Sequence, residues 1–253
     1  MSRSNPTSES KNPSARWFEW AGADDAGHVK YYDKEEEKSV KVDLPFTFLV
    51  LDELATIKGF NDDANAGLYS NEVKDTRNQP MTVSIFGKGE VASGLYADIK
   101  DKVKSKGGKF ASSVYIAAKI DGELKIANIT FVGSSVSQWM DFKKAHGKAI
   151  YDNAVVIQAY EDREKGRTDY RAPLFSLKDC SQETQDQAVA LDKELQEFLQ
   201  SYFVKNITAQ SKPSPEGYVA NVGQPENKAD ASFSTYPSDD EIPFAPIARR
   251  SYL

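Results

Sequence analysis

Two short stretches carry residue types suited to molecular recognition. The first is Ser238-Asp239-Asp240-Glu241-Ile242-Pro243-Phe244, where three carboxylates run into an Ile-Pro-Phe wedge. The acids can steer such a peptide to a basic surface while Phe244 enters an apolar pocket. The second is Phe86-Gly87-Lys88, closing the alternating run Met81 to Phe86. It sets an aromatic ring two residues from an ammonium group at the end of a strand. Residues for covalent or metal chemistry are not grouped in this way. His28 and His146 lie far apart without a ligand pattern, Cys180 stands alone, and no nucleophile elbow, phosphate loop or dinucleotide fingerprint occurs. Asp52-Glu53 and Glu161-Asp162 offer carboxylates for magnesium, but no strand-borne Lys sits at matching spacing. Asn61, Asp63, Asn65 and Glu72 approach a calcium loop, with Gly67 one position late for its sharp turn. The expectation is a protein that is not an enzyme, with no metal and no cofactor.

These stretches need a scaffold, and the chain of 253 residues is long enough for one large domain or two small ones. The formal net charge of -6 gives the whole molecule no basic footprint, so any phosphate-binding groove must be a local cluster of Lys and Arg. One cysteine excludes an internal disulfide framework. Residues 1–14 lack the apolar core of a secretion signal, and no run approaches the ~20 apolar residues that span a bilayer. A cytoplasmic location follows as the expectation.

Residues 1–15 read as a disordered arm and 205–253 as a linker carrying the acidic tip, both rich in Ser, Pro and Asn. Between them, 16–204 forms a domain that is mainly β with added helices. Strands are expected around Val29 to Tyr32, Val40 to Val42, Phe46 to Gly59 and Met81 to Phe86, with a loop from Asn61 to Gly67. A helix is expected over Val91 to Lys106, with Leu95, Ile99 and Val103 recurring every four residues. The clearest hairpin joins Phe110–Ile120 to Leu124–Val132 around Asp121-Gly122, read as a three-residue connection. That register puts Val114, Ile116, Ala118 and Ile120 on one face with Leu124 and Ile126. Tyr115, Lys119, Lys125 and Phe131 then share the other face, as a stacking platform would. Ser134 or Ser135 begins a short helix through His146, with Val136, Trp139 and Met140 inward. Val155–Asp162 and Tyr170–Leu177 form a second hairpin with the basic tip Arg163-Glu164-Lys165-Gly166-Arg167, followed by Arg171. The longest helix starts at Ser181 and carries the stripe Val189, Leu191, Leu195, Phe198, Leu199 and Tyr202.

On these residues the chain resembles the bacterial and bacteriophage single-stranded-DNA-binding proteins. The likeness rests on the acidic Ile-Pro-Phe tip, on Phe86-Gly87-Lys88, on Glu90-Val91-Ala92-Ser93, on Lys106-Gly107 and on Val114-Tyr115-Ile116. It implies an elaborated OB-fold, a five-stranded Greek-key barrel with a helix after the third strand. It also implies bases stacking on Phe86 beside Lys88, and a tip that recruits replication or recombination proteins such as a polymerase, helicase or recombinase. Two stacking tryptophans of the family are missing: Pro80 stands at one position, and Lys119 and Ile120 lie nearest the other. Other platform residues must come from Trp17, Phe18, Trp20, Tyr31, Tyr32, Tyr115 and Phe131, with Arg77, Arg163, Lys165, Arg167 and Arg171 for phosphates. In the family the tip Phe is the last residue; here Phe244 is followed by nine more, including Arg249 and Arg250. The expected function is sequence-tolerant binding and protection of single-stranded DNA in replication, recombination or repair, for a bacteriophage. The competing expectation is an adaptor that imitates the host tip without touching DNA.

Overall fold

A computed structural model describes residues 11–210, apart from 24, 25 and 167. In chain order the elements are β1 (Trp17–Ala21), β2 (His28–Asp33), β3 (Lys38–Val42), β4 (Phe46–Asn61), β5 (Ala66–Ser70), β6 (Met81–Ile85) and β7 (Gly89–Gly94). There follow α1 (Tyr96–Ser105), β8 (Gly108–Ile120), β9 (Glu123–Val132), α2 (Ser134–His146), α3 (Ala149–Asp152), β10 (Ala154–Lys165), β11 (Thr168–Lys178) and α4 (Gln182–Gln210). The chain is thus mainly β with four helices among the described residues. The tip residues Asp239, Asp240, Glu241, Ile242, Pro243 and Phe244, and Arg167, lie outside them.

One mixed sheet of eleven strands runs β3-β2-β1-β9-β8-β4-β5-β6-β7, with β10 branching from β4 and β11 paired to β10. The sixteen-residue β4 is its branch point. One edge pairs with β8 from Phe48 to Gly59, while the other takes β10 at Phe46 to Phe48 and β5 at Lys58 to Asn61. Among the described residues only β1 against β9 is parallel. The pairing path ends at β3 and β7, so among the described residues the sheet is open.

The centre of this sheet is buried on both faces. On one side Val114, Ile116, Ala118 and Ile120 of β8 meet Phe18, Phe48, Ile129 and Phe131, closed by α1 and α2 through Ile99, Val103, Val136 and Trp139. On the other, α4 lays Ala188, Leu195, Phe198 and Leu199 over Leu54, Tyr115, Ala117 and Ile126. At roughly 1.5–3 kcal/mol for each fully buried large apolar side chain, that cover holds α4 without help from intrinsic propensity.

Double burial corrects the hairpin register. Ile120 pairs with Glu123 across a two-residue Asp121-Gly122 turn, with φ of 54° and 86°. Asp-Gly suits such a primed turn, whose twist matches the flanking strands. The expected three-residue connection assumed that only one face needed apolar residues. In the observed register Tyr115 and Lys119 face α4 together with Leu124 and Ile126, while Lys125 and Phe131 belong to the opposite face.

Other boundaries move for local reasons. Glu90 to Ser93, expected to open a helix, is instead strand β7, returning from β6 through a turn with Gly87 and Gly89 at positive φ. Helix α1 starts at Tyr96 and buries Tyr96, Ile99 and Val103. Strand β5 occupies part of the expected 61–67 loop. On α4, Val189 is exposed and Ala188 takes the inward place; the helix also runs past residue 204, to Gln210. Residues 12–15, expected in the arm, lie against the sheet: Ser14 is buried and the Ala15 amide donates to Ile126 O at 2.8 Å.

Candidate nucleic-acid interface

Beyond the reach of α4, the same face of the sheet is open. Helix α4 ends its cover near Tyr202, whose hydroxyl accepts the Glu72 backbone amide at 2.8 Å. Past that point β4 offers Lys58 and Phe60, because Ile57 and its alternates point into the core. Lys58 pairs with Tyr69, Phe60 with Gly67, and Tyr69 with Ser84. Residues directly opposite in a ladder share a face, so Tyr69 and Ser84 stand with Lys58 and Phe60. The Phe86 amide donates to Gly67 O at 2.9 Å and carries the β5–β6 register one step further. Ile85 before it is buried, which turns Phe86 to the open face with 54% of its surface exposed. Phe60, Tyr69 and Phe86 are therefore three outward aromatics on neighbouring strands.

A hydrogen-bonded chain holds the polar floor beside them. Lys58 Nζ donates to Thr130 Oγ1 at 2.9 Å, Thr130 Oγ1 to Asn128 Oδ1 at 3.3 Å, and Asn128 Nδ2 to Ser113 Oγ at 2.7 Å. Ser113 Oγ donates to Glu72 Oε1, and Tyr115 Oη to Glu72 Oε2 at 2.7 Å. Burial pushes the Lys58 ammonium below the usual lysine range, against the pull of Glu19 and Glu72. Burial raises the Glu72 carboxyl, with the two hydroxyls and Lys58 opposing. The Tyr115 phenol is raised well above its ordinary value by burial first and by the Glu72 charge second. A serine bonded to a carboxylate has the parts of a nucleophile–base pair. Ser113 is 2% exposed, and its partner Glu72 comes from the 71–80 loop.

The face continues through the N-terminal strands. Thr130 pairs with Glu19, Glu19 with Lys30, and Lys30 with Lys41. Lys30 and Glu19 form an ion pair at 3.0 Å. Trp17, opposite Asn128, is 39% exposed, with the Lys34 ammonium 5.8 Å from its ring centre. Between Lys58 and these strands, on β8, stands Lys109, whose ammonium burial also pulls below the usual range. Lys30, Lys41, Lys58 and Lys109 thus lie on one sheet face with Trp17, Tyr32, Phe60, Tyr69 and Phe86, interrupted by Glu19.

Several residues expected at the site are elsewhere. Tyr115 is 1% exposed and Phe131 fully buried, the one under α4 and the other stacked on Trp139 at 5.3 Å in the main core. Phe18 is core as well, and Trp20 and Tyr31 pack against it; Trp20 Nε1 donates to Arg171 O at 2.9 Å, and Arg16 lies 4.6 Å over the Tyr31 ring. Lys125 pairs with Glu123, and Arg163 with Glu161. Arg171 binds Asp162 at 3.0 Å and the Ala26 carbonyl at 2.5 Å, and lies 4.6 Å over Tyr160; it ties the β10–β11 arm to the β1–β2 turn. Lys119 and Arg77 are exposed at separate corners. Phe86 and Lys88 fall together on the exposed β6–β7 turn, and Tyr32 shares the outer face with Lys30. Missed were Lys30, Lys41, Lys58, Phe60, Tyr69 and Lys109; for Lys58 and Phe60 the signal was the alternation Ile57-Lys58-Gly59-Phe60.

No protein-family model, curated protein or solved structure matches this chain.

Proposed function

We propose that the chain binds single-stranded DNA without sequence preference, on the open face carrying Phe60, Tyr69 and Phe86. The observation that carries this reading is that three aromatic side chains point outward around a lysine held in place from below. Aromatic rings exposed beside fixed cations lose free energy to water and regain it when bases stack, at about 1–3 kcal/mol per base. Lys58, Lys88 and Lys109 supply the matching charge, a local basic cluster on a molecule of net charge -6. The element order supports an elaborated OB-fold as the ancestral plan: β4, β5 and the β6–β7 hairpin precede α1, and β8 and β9 follow it, with β4 pairing to both β5 and β8. The acidic stretch Asp239 to Phe244 is then a docking peptide for replication, recombination or repair enzymes, and a phage protein working in host cytoplasm is the setting that joins the two.

Fluorescence titration with a long oligo-dT and with duplex, at low and moderate salt, tests the reading. Micromolar or tighter preference for the single strand, weakening steeply with salt, is expected. No binding at low salt would overturn it and leave the adaptor that imitates a host tip.

A further inference from the structure

Among the thirteen described glycines, Gly67 is the one for which the fold gives no reason. Its φ is not in the left-handed region, and a Cβ built on it would meet nothing within 4 Å. Every other described glycine has a positive φ, a crowded Cβ position or both. A glycine inside a strand weakens the strand, and it commonly marks a place where a ligand comes close to the backbone. Gly67 sits in β5 with Phe60 opposite it on β4 and Phe86 aligned with it on the far side.

We infer that Gly67 is the floor of a slot that takes one unpaired base between the rings of Phe60 and Phe86. Adjacent strands lie ~4.8 Å apart, so side chains on β4 and β6 rise ~9.6 Å from one another across β5. A planar ring between two others needs about 3.5–4.0 Å on each side, or ~7–8 Å in all. The glycine gap therefore admits a single base and not two, with about 2 Å for the two rings to take up by leaning inward. Tyr69, two residues along β5 and opposite Lys58, closes one end of the slot. A base within a duplex cannot enter, since its own neighbours already occupy both of its faces. The slot rests on the single-strand reading above and supplies its discrimination against duplex.

The test fills the slot. Gly67→Val places a strand-favouring side chain in open space at an ordinary φ, so the thermal midpoint should stay level or rise; Gly67→Ala is the milder companion. Oligo-dT affinity should fall ten-fold or more for valine and less for alanine, and the valine effect should largely vanish in a Phe60→Ala/Phe86→Ala background. If G67V folds and binds oligo-dT like the parent while F86A binds weakly, the slot is wrong and the single-strand reading stands. If the parent chain itself fails to bind oligo-dT at low salt, that reading falls and the slot with it.

Discussion

Lys58 on β4 reaches across β8 to donate to Thr130 on β9, 2.9 Å away. The ammonium is thus fixed on the α4-facing side of the sheet, over the β8–β9 side of β4, with Tyr69 and Phe86 on the other side of that strand. Removing it should cost oligo-dT affinity and lower the salt slope by about one unit, since one phosphate contact is lost. Lys58→Ala against the parent, titrated at four salt concentrations, measures both.

The same burial gives a pH signature. Lys58 is charged below its lowered pKa and loses that charge as pH rises through it, earlier than an ordinary lysine. Parent affinity should therefore begin to fall in a pH range where Lys58→Arg, charged throughout, holds steady. Equal pH profiles for the two would remove Lys58 from the phosphate path.

Glu72 predicts a dependence of stability on pH. Its folded pKa lies above the unfolded value, so the folded state holds the extra proton between the two. Glu72's contribution is fully present below the unfolded pKa and is lost as pH rises through the folded one. Glu72→Gln carries no such loss. The difference in thermal midpoint, variant minus parent, should shift in the variant's favour as pH rises above the ordinary carboxylate range, read by scanning calorimetry.

Phe86 and Tyr115 separate recognition from structure. Phe86→Ala should leave the thermal midpoint nearly unchanged, because the ring is half exposed, and weaken oligo-dT binding by about 1–3 kcal/mol. Tyr115→Phe leaves Glu72 Oε2 without its donor and should cost roughly 1–3 kcal/mol of stability with affinity unchanged. Denaturant melts and titrations on both variants give the four numbers.

Arg171→Ala should loosen the β10–β11 arm. Bonds made by a charged group carry ~1.5–3 kcal/mol, and here one reaches Asp162 and another the Ala26 carbonyl. Limited proteolysis should then cut near the β10–β11 turn at protease levels the parent withstands, with oligo-dT affinity preserved. A loss of affinity instead would return Arg171 to the list of phosphate contacts.

The strands with clean local patterns and the two long helices were legible in the sequence, because apolar periodicity records which side faces a core. Strand β8 defeats that logic: with α4 on one side and the main core on the other, both alternations are apolar and neither fixes the register. Val91 and Ala92 fit a helix start as well as a strand, and only pairing with β6 decides. For the site, Phe86-Gly87-Lys88 was visible because the resemblance to the single-stranded-DNA-binding proteins rests in part on that contiguous triplet. Phe60 and Tyr69 were not, since their common face arises from pairing between strands, and Tyr115 and Phe131 looked suitable only while the helix above and the core below were out of view.

The parallel junction of β1 with β9 bears on how the chain is made. Trp17 finds Asn128 only after more than a hundred residues of further synthesis. At ~5–20 residues per second, the nascent β1–β2–β3 meander waits about 5–20 s before its docking edge exists. A three-stranded ribbon with Trp17 and Trp20 near one margin is adhesive during such a wait. The charged β2–β3 turn, Asp33 to Glu37, is then a solubility guard for the newborn chain as much as a surface loop of the finished one.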